Sequence, residues 1–388
     1  MPPSAQALRS KLPATGTTIF TVMSALAAEH RAINLSQGFP DFLCSEFLLE
    51  RAAYYMHQGL NQYAPMPGIL PLRQRIAEKV RRLYDADYDP ESEITITAGG
   101  TQALYAAIAA TVHEGDEVLL FEPAYDSYAP AVELHRGVPV YVELSPPDFR
   151  IDWDKVRRCL NRRTRLIIIN SPHNPTGAMI GAGDLQELQR LIADTDILVL
   201  SDEVYEHLVF DGRRHESVMR YPELAARSFV VFSFGKTYHN TGWKMGYCLA
   251  PAALMAEFRK VHQFMVFSVN TPLQYAYADM MEDPAHYEQL SSFYEEKRNM
   301  FLQLISDLPF SVRPAEGSYF QCAGYEQISN EADRDFAIRL TREAGVAVIP
   351  VSAFYRSGTD HRLIRFCFAK KQETLEEAAR RLRAYLRG

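Results

Sequence analysis

The chain is short of everything that would direct it to a membrane, a nucleic acid or an oxidising compartment. Its longest apolar runs, such as Leu166 to Ile169 and Ile197 to Leu200, are strand-sized. A membrane-spanning helix needs about 20 apolar residues. Positive charge is in deficit: 41 Lys and Arg stand against 48 Asp and Glu, a net of −7. An acidic chain without a long basic run suits neither nucleic acid nor an anionic membrane. The five cysteines, Cys44, Cys159, Cys248, Cys322 and Cys367, are scattered and form no Cys-x-x-Cys pair. They read as free thiols in a reducing cytoplasm. The eleven histidines form no His-x-x-x-His pair and no cluster with cysteine, so no metal site is expected. Arg9 and Lys11 are followed by no apolar stretch, which argues against a secretory signal. Fixed-period repeats and low-complexity tracts are missing too.

What remains is ordinary globular material in a long chain. Its 388 residues imply two or three domains at about 150 residues each. Apolar residues make up 47% and charged residues 23%, enough for a large core. Residues 1–16 read as an arm. Ile19, Phe20, Met23, Leu26 and Ala27 then recur at helical spacing. A loop follows through Asn34 to Asp41, and Ser45 can cap a helix ending near His57. Asn61 to Gly68 is loop, and Leu72, Ile76, Val80 and Leu83 mark the next helix face. From residue 94 the texture changes. Strand candidates at 94–97, 117–121, 138–142, 166–170, 197–201, 229–233 and 246–249 alternate with helical patterns at about 101–112, 127–135, 154–160 and 184–193. That alternation predicts an α/β fold with a mostly parallel sheet between helices. After about residue 270, helices at 271–282, 286–306, 333–343 and 372–386 mix with strands near 318–322, 346–350 and 362–368. We therefore expect an N-terminal arm and part of a small domain at 1–40, a large domain at 41–270 and a small α+β domain at 271–388.

Ligands in such sheets bind at the carboxyl ends of the strands, and five strand ends here carry polar groups. Thr97-Ala98-Gly99-Gly100-Thr101 runs into a helix whose N-terminus suits a phosphate, or is a plain turn. It lacks both the dinucleotide Gly-x-Gly-x-x-Gly spacing and the Walker ending. Pro172 and Pro175 stiffen a loop that presents Asn174, with His173 more easily structural. Asp202 closes an apolar strand, where a carboxylate needs a partner such as a protonated ring nitrogen; capping the next helix is the plainer alternative. Tyr205 lies three residues on. Lys236, in Ser233-Phe234-Gly235-Lys236-Thr237-Tyr238, is costly to bury unless its amine is consumed as a Schiff base. Alone it reads as readily as a lysine snorkelling to the surface. Arg365 interrupts the apolar run Leu363 to Ala369, and its fork suits a carboxylate unless it faces water at a sheet edge. Taken together, these groups match one cofactor, pyridoxal 5'-phosphate.

With these motifs the sequence resembles the class I aminotransferases of PLP fold type I over nearly its whole length. The segments that carry the likeness are Asn34–Asp41, Asn61–Gly68, Thr97–Ala103, Asn174–Gly177, Ser201–Tyr205, Ser233–Tyr247 and Arg365–Lys370. Asn34–Asp41 and Lys236–Lys244 look most like the bacterial methionine-preferring members of the kynurenine aminotransferase and glutamine transaminase K branch. The resemblance implies a large domain with a seven-stranded sheet. It implies Lys236 as the cofactor-linked lysine and proton carrier, Asp202 under the pyridine nitrogen, and Asn174 and Tyr205 on the ring oxygen. Tyr125 would stack on the ring. Gly100, Thr101, Ser233 and Lys244 would hold the phosphate, with Tyr63 reaching the site of a second subunit in a homodimer. Arg365, Asn174 and the Gly38 backbone would take the substrate carboxylate; Phe39, Tyr63, Tyr125, Tyr128 and His239 would line its side-chain pocket. Two departures are Lys244, where many members carry arginine, and Pro67, where relatives often have threonine. The implied reaction is ping-pong transfer of the amino group of methionine, an aromatic amino acid or glutamine to a 2-oxo acid in the cytoplasm. A kynurenine aminotransferase and a cysteine-S-conjugate β-lyase are the alternatives. A regulator would need a DNA-binding domain larger than residues 1–30, and a nicotinamide dehydrogenase the missing glycine fingerprint.

Overall fold

The computed structural model of the chain describes residues 9–13 and 15–387. The expected arm over residues 1–16 falls partly outside them. All seven expected strands form and join one sheet: β2 (Ile94–Thr97), β3 (Glu117–Glu122), β4 (Val138–Glu143), β5 (Thr164–Asn170), β6 (Leu198–Asp202), β7 (Ser228–Ser233) and β8 (Gly246–Leu249). They follow a two-residue strand β1 (Ile33–Asn34). The order across the sheet is β2-β8-β7-β6-β5-β3-β4. Only β8 runs against its neighbours, β2 and β7. Alternation along the strands divides the core in two. Leu166, Ile168, Leu200 and Val231 face Ala103 and Ala107 of the helix Gly100–Thr111, whereas Ile167, Ile169, Val199 and Val230 face Leu185 and Leu188 on the other side. Each such aliphatic side chain contributes roughly 1.5–3 kcal/mol through burial. Apolar residues on both faces are what a sheet covered by helices on both sides requires.

A second, antiparallel sheet follows the order β11-β12-β9, from β9 (Phe320–Gly324), β11 (Ile349–Pro350) and β12 (Leu363–Cys367). The strand expected over 346–350 is split. Its first half, β10 (Val346–Ala347), pairs in parallel with β1, and its second half, β11, pairs with β12. The N-terminal segment is thus tied to the end of the chain, and Cys367 N–H also donates to Leu35 C=O at 2.8 Å.

Other expectations shift in detail. Residues 286–306 form two helices, Ala285–Glu288 and Leu290–Ile305, with Gln289 ending the first and starting the second. Ser45 precedes the helix Glu46–His57 without a side-chain cap bond. The helix expected over 333–343 is α-helical to Arg339 and then widens to a π turn, Leu340–Ala344. The sequence reading passed over the helix Ala252–Met265, although Met255, Phe258 and His262 form its buried stripe. The carboxyl ends of β2, β3, β5, β6 and β7 share one edge of the large sheet. The loop after β1 and the strand β12 close over that edge.

Candidate active site

At one end of the site, β2 turns into the helix Gly100–Thr111 through Gly99, whose φ of +81° excludes a Cβ without strain. Lys244 adopts the left-handed conformation at φ 54°. Its Nζ lies 3.6 Å from where a Cβ on Gly99 would sit. Ser233 ends β7 and pairs with Gly246, whose missing side chain leaves room for Gly100 N–H beside it. Thr101 Oγ1 meets Tyr125 O–H at 3.3 Å. A helix N-terminus with a lysine at its mouth is an anion site.

At the middle, Asp202 ends β6 in register with Asn170 of β5. Its carboxyl is buried and accepts from Tyr128 O–H at 2.6 Å. Burial raises its pKa from the usual carboxylate range to about 6, the Tyr128 hydrogen bond opposing. Asn170 donates to Asp202 C=O at 2.9 Å and accepts from Asn174 N–H at 2.8 Å. Asn174 Oδ1 in turn accepts from Arg365 Nη1 at 2.7 Å. Arg365 also donates to Ser36 C=O at 2.8 Å, and its guanidinium lies 3.8 Å from the Phe320 ring centroid. It is wholly buried, its Nε has no partner, and burial lowers its pKa. A buried guanidinium without a carboxylate calls for an anion from outside.

Lys236 sits in the single helical turn Phe234–Thr237 that follows β7. Its amine donates to Tyr319 O–H at 2.8 Å and to Gly38 C=O at 3.2 Å. Among the described residues no carboxylate lies within ion-pair distance of it. Burial pushes its pKa down to about 8. The Tyr205 ring centroid is 5.6 Å from the amine.

Twelve of the residues singled out from the sequence line one cavity of about 450 Å³, from Gly38, Phe39, Gly100 and Thr101 to Lys244 and Arg365. The structure does not bring Tyr63 or His239 to it. Tyr63 is 82% exposed and leans edge-on against Phe267. His239 is held edge-on by Phe42 and Tyr294, at 4.9 and 5.6 Å between centroids, a packed aromatic setting that keeps its ring from the cavity. Tyr128 is no pocket wall either, because its hydroxyl is spent on Asp202. The sequence reading missed Phe20, Asn170, Val204 and Phe320, which line the cavity, and Tyr319, which holds Lys236. Aligning the strand ends would have found Asn170, one strand over from Asp202. Nothing local marks Phe20, whose place depends on a helix from the start of the chain.

The cavity wall carries three cationic side chains, Lys236, Lys244 and Arg365, against one carboxylate, Asp202. That balance fits a phosphorylated cofactor plus a substrate carboxylate. Residues 30–382 match the family described as aminotransferase class I and II. The chain belongs to the class I and II aminotransferases. As a member it is a pyridoxal-phosphate-dependent transaminase. It is 52% identical to the methionine aminotransferase of Escherichia coli, over 97% of each chain. To a probable N-succinyldiaminopimelate aminotransferase of Mycobacterium tuberculosis it is 39% identical, over 96% of this chain and 97% of that one. The crystal structure of YbdL from Escherichia coli, which carries a methionine aminotransferase function, superposes at a TM-score of 0.95 with 52% identity. That match covers 97% of this aminotransferase and 99% of that chain. No helix among the described residues is long and apolar enough to cross a membrane.

Proposed function

We propose that this aminotransferase takes methionine as its preferred amino donor. Arg365 is the only arginine on the cavity wall among the described residues, and this is the observation that carries the reading. One arginine serves the α-carboxylate and leaves none for a second, distal carboxylate, which disfavours aspartate. The remaining walls, Phe20, Phe39 and Phe320, suit a neutral apolar side chain. They suit an aromatic donor such as kynurenine as well, which is the second reading. The match to the E. coli methionine aminotransferase supports the first.

Pyridoxal phosphate, when bound, supplies a carbonyl carbon for the amino group and a ring that withdraws electrons from it. In our assignment Gly100 and Thr101, at the helix start, hold the phosphate with Ser233 and Lys244. Asp202, kept in place by Tyr128, holds a proton on the ring nitrogen. Asn174 and Tyr205 hydrogen-bond the ring oxygen, and Tyr125 covers one ring face. Arg365, aided by Asn174 and the Gly38 backbone, orients the substrate carboxylate. Once freed, Lys236, its pKa lowered by burial, would move the proton at the substrate Cα.

The chain works as a homodimer in this proposal. Tyr63 and Phe264, 82% and 87% exposed, sit on a face where a second copy would cover them and receive Tyr63 at its phosphate site. We further propose a large unit over 41–270 and a small unit of 1–40 with 271–388, supported by the pairing of β1 with β10, and a cytoplasmic location. The first experiment adds methionine, without oxo acid, to the cofactor-loaded protein. Fading of the visible band supports methionine as donor. A band that fades with kynurenine but not methionine supports the second reading, and release of ammonia and pyruvate from a cysteine conjugate would mark a β-lyase.

A further inference from the structure

We propose that Tyr319 is the positioning residue that holds the amine of Lys236 whenever that amine is free. The inference rests on Lys236 being the reacting lysine. Tyr319 precedes β9, and its hydroxyl donates to Gly38 C=O at 2.5 Å. With its hydrogen committed there, the phenol oxygen can only accept, and it accepts from Lys236 Nζ at 2.8 Å. Gly38 C=O is also the second acceptor of the same amine, at 3.2 Å. The three groups form a closed triangle with one carbonyl, one phenol and one amine.

The triangle is built rather than incidental. The Tyr319 side chain is completely buried, its ring packed edge-on against Tyr205 at 5.1 Å and Phe320 at 4.9 Å. A Cβ on Gly38 would come within 2.6 Å of the Phe320 ring and 3.2 Å of the Tyr319 ring, so only glycine lets this carbonyl approach. Burial raises the Tyr319 phenol well above its ordinary range, so it stays a neutral hydroxyl and is no rival proton donor to the substrate.

The arrangement has a direction. Lys236 hangs from β7 of the large sheet, whereas both of its acceptors belong to the segments tied to the second sheet and to β1. Gly38 lies two residues from Ser36, whose carbonyl binds the carboxylate-seeking Arg365. Tyr319 therefore fixes the resting place of the displaced amine relative to the loop that meets the substrate. Two acceptors around one amine also favour its protonated form, against the burial that lowers it.

The test uses the full-length protein loaded with pyridoxamine 5'-phosphate, a form in which Lys236 is free and no donor preference is assumed. Tyr319→Phe keeps the buried ring and removes only the hydroxyl. The pH dependence of Lys236 labelling by acetic anhydride is read by mass spectrometry. The midpoint in Tyr319→Phe should fall by about one pH unit. The half-reaction with a 2-oxo acid should slow roughly tenfold through kcat, with KM and cofactor affinity little changed. Coincident labelling curves for the two proteins overturn the proposal, whatever the half-reaction does. If the wild-type protein fails to take up cofactor at all, the fault lies with the functional reading and not with Tyr319.

Discussion

Asp202 is the residue where burial and chemistry pull hardest against each other. In the cofactor-free chain its pKa stands at about 6 against an ordinary 3.8. The folded state then keeps a proton that the unfolded chain has already lost. Its contribution to stability is complete below about pH 4 and lost as the pH rises through about 6. Asp202→Asn removes that dependence. Urea unfolding of the cofactor-free variant at pH 7.5 should show a gain of at most about 3 kcal/mol over wild type. The same change should slow the half-reaction of the loaded enzyme by roughly a hundredfold, because an amide cannot keep the ring nitrogen protonated. A variant that is no more stable without cofactor would show that Tyr128 already compensates the buried charge. Arg365 is the mirror case, a buried cation whose Nε awaits an anion. Both residues carry a burial cost that a bound group of opposite charge would offset.

At the scale of the element, the strand ends place the chemistry and the turns after them tune it. The turn from β2 into its helix is the sharpest instance. Gly99 sits at φ +81°, ψ 170°, a region that side chains essentially do not enter. Gly99→Ala should therefore distort the helix start by an amount costing about 1–3 kcal/mol. Equilibrium dialysis should show cofactor affinity lowered by tenfold or more, while Gly115→Ala, also at positive φ but at a surface turn, should leave it unchanged. The turn after β6 shows a different device. Glu203 accepts from Ser201 O–H and bonds His215 Nε2, each at 2.8 Å, and Glu206 pairs with buried Lys79 and Tyr84. Tyr205 is carried between these two anchors, so its ring is held by bonds that never touch the cavity.

For the whole molecule the decisive feature is that one cavity draws on distant parts of the chain. Phe20, Gly38, Gly100, Asp202, Lys236 and Arg365 meet across 345 positions of sequence, from 20 to 365. Tyr63 points the other way, out of the subunit. If sites are shared, Lys236→Ala and Tyr63→Ala subunits should each be poorly active alone. Refolded together they should regain activity, since one site of each mixed dimer is intact. Light scattering should give twice the monomer mass for both. An active monomer, or no recovery on mixing, would remove the shared-site proposal.

The order of elements, the mostly parallel sheet and the residues at its strand ends were legible along the chain. Those features are local: short continuous apolar runs make strands buried on both faces, and a polar residue closing such a run must meet a ligand or a partner. Lys236, Asp202, Asn174 and Arg365 stand out because each is expensive to bury without one. Only the tertiary structure decided that His239 turns into an aromatic cluster, that Tyr128 serves Asp202 and that Tyr319 holds Lys236. Those outcomes depend on which side chains from remote segments compete for the same few ångströms. A buried hydroxyl carries no sequence mark of its partner, and the hydrogen bond that defines its role exists only once both segments are packed.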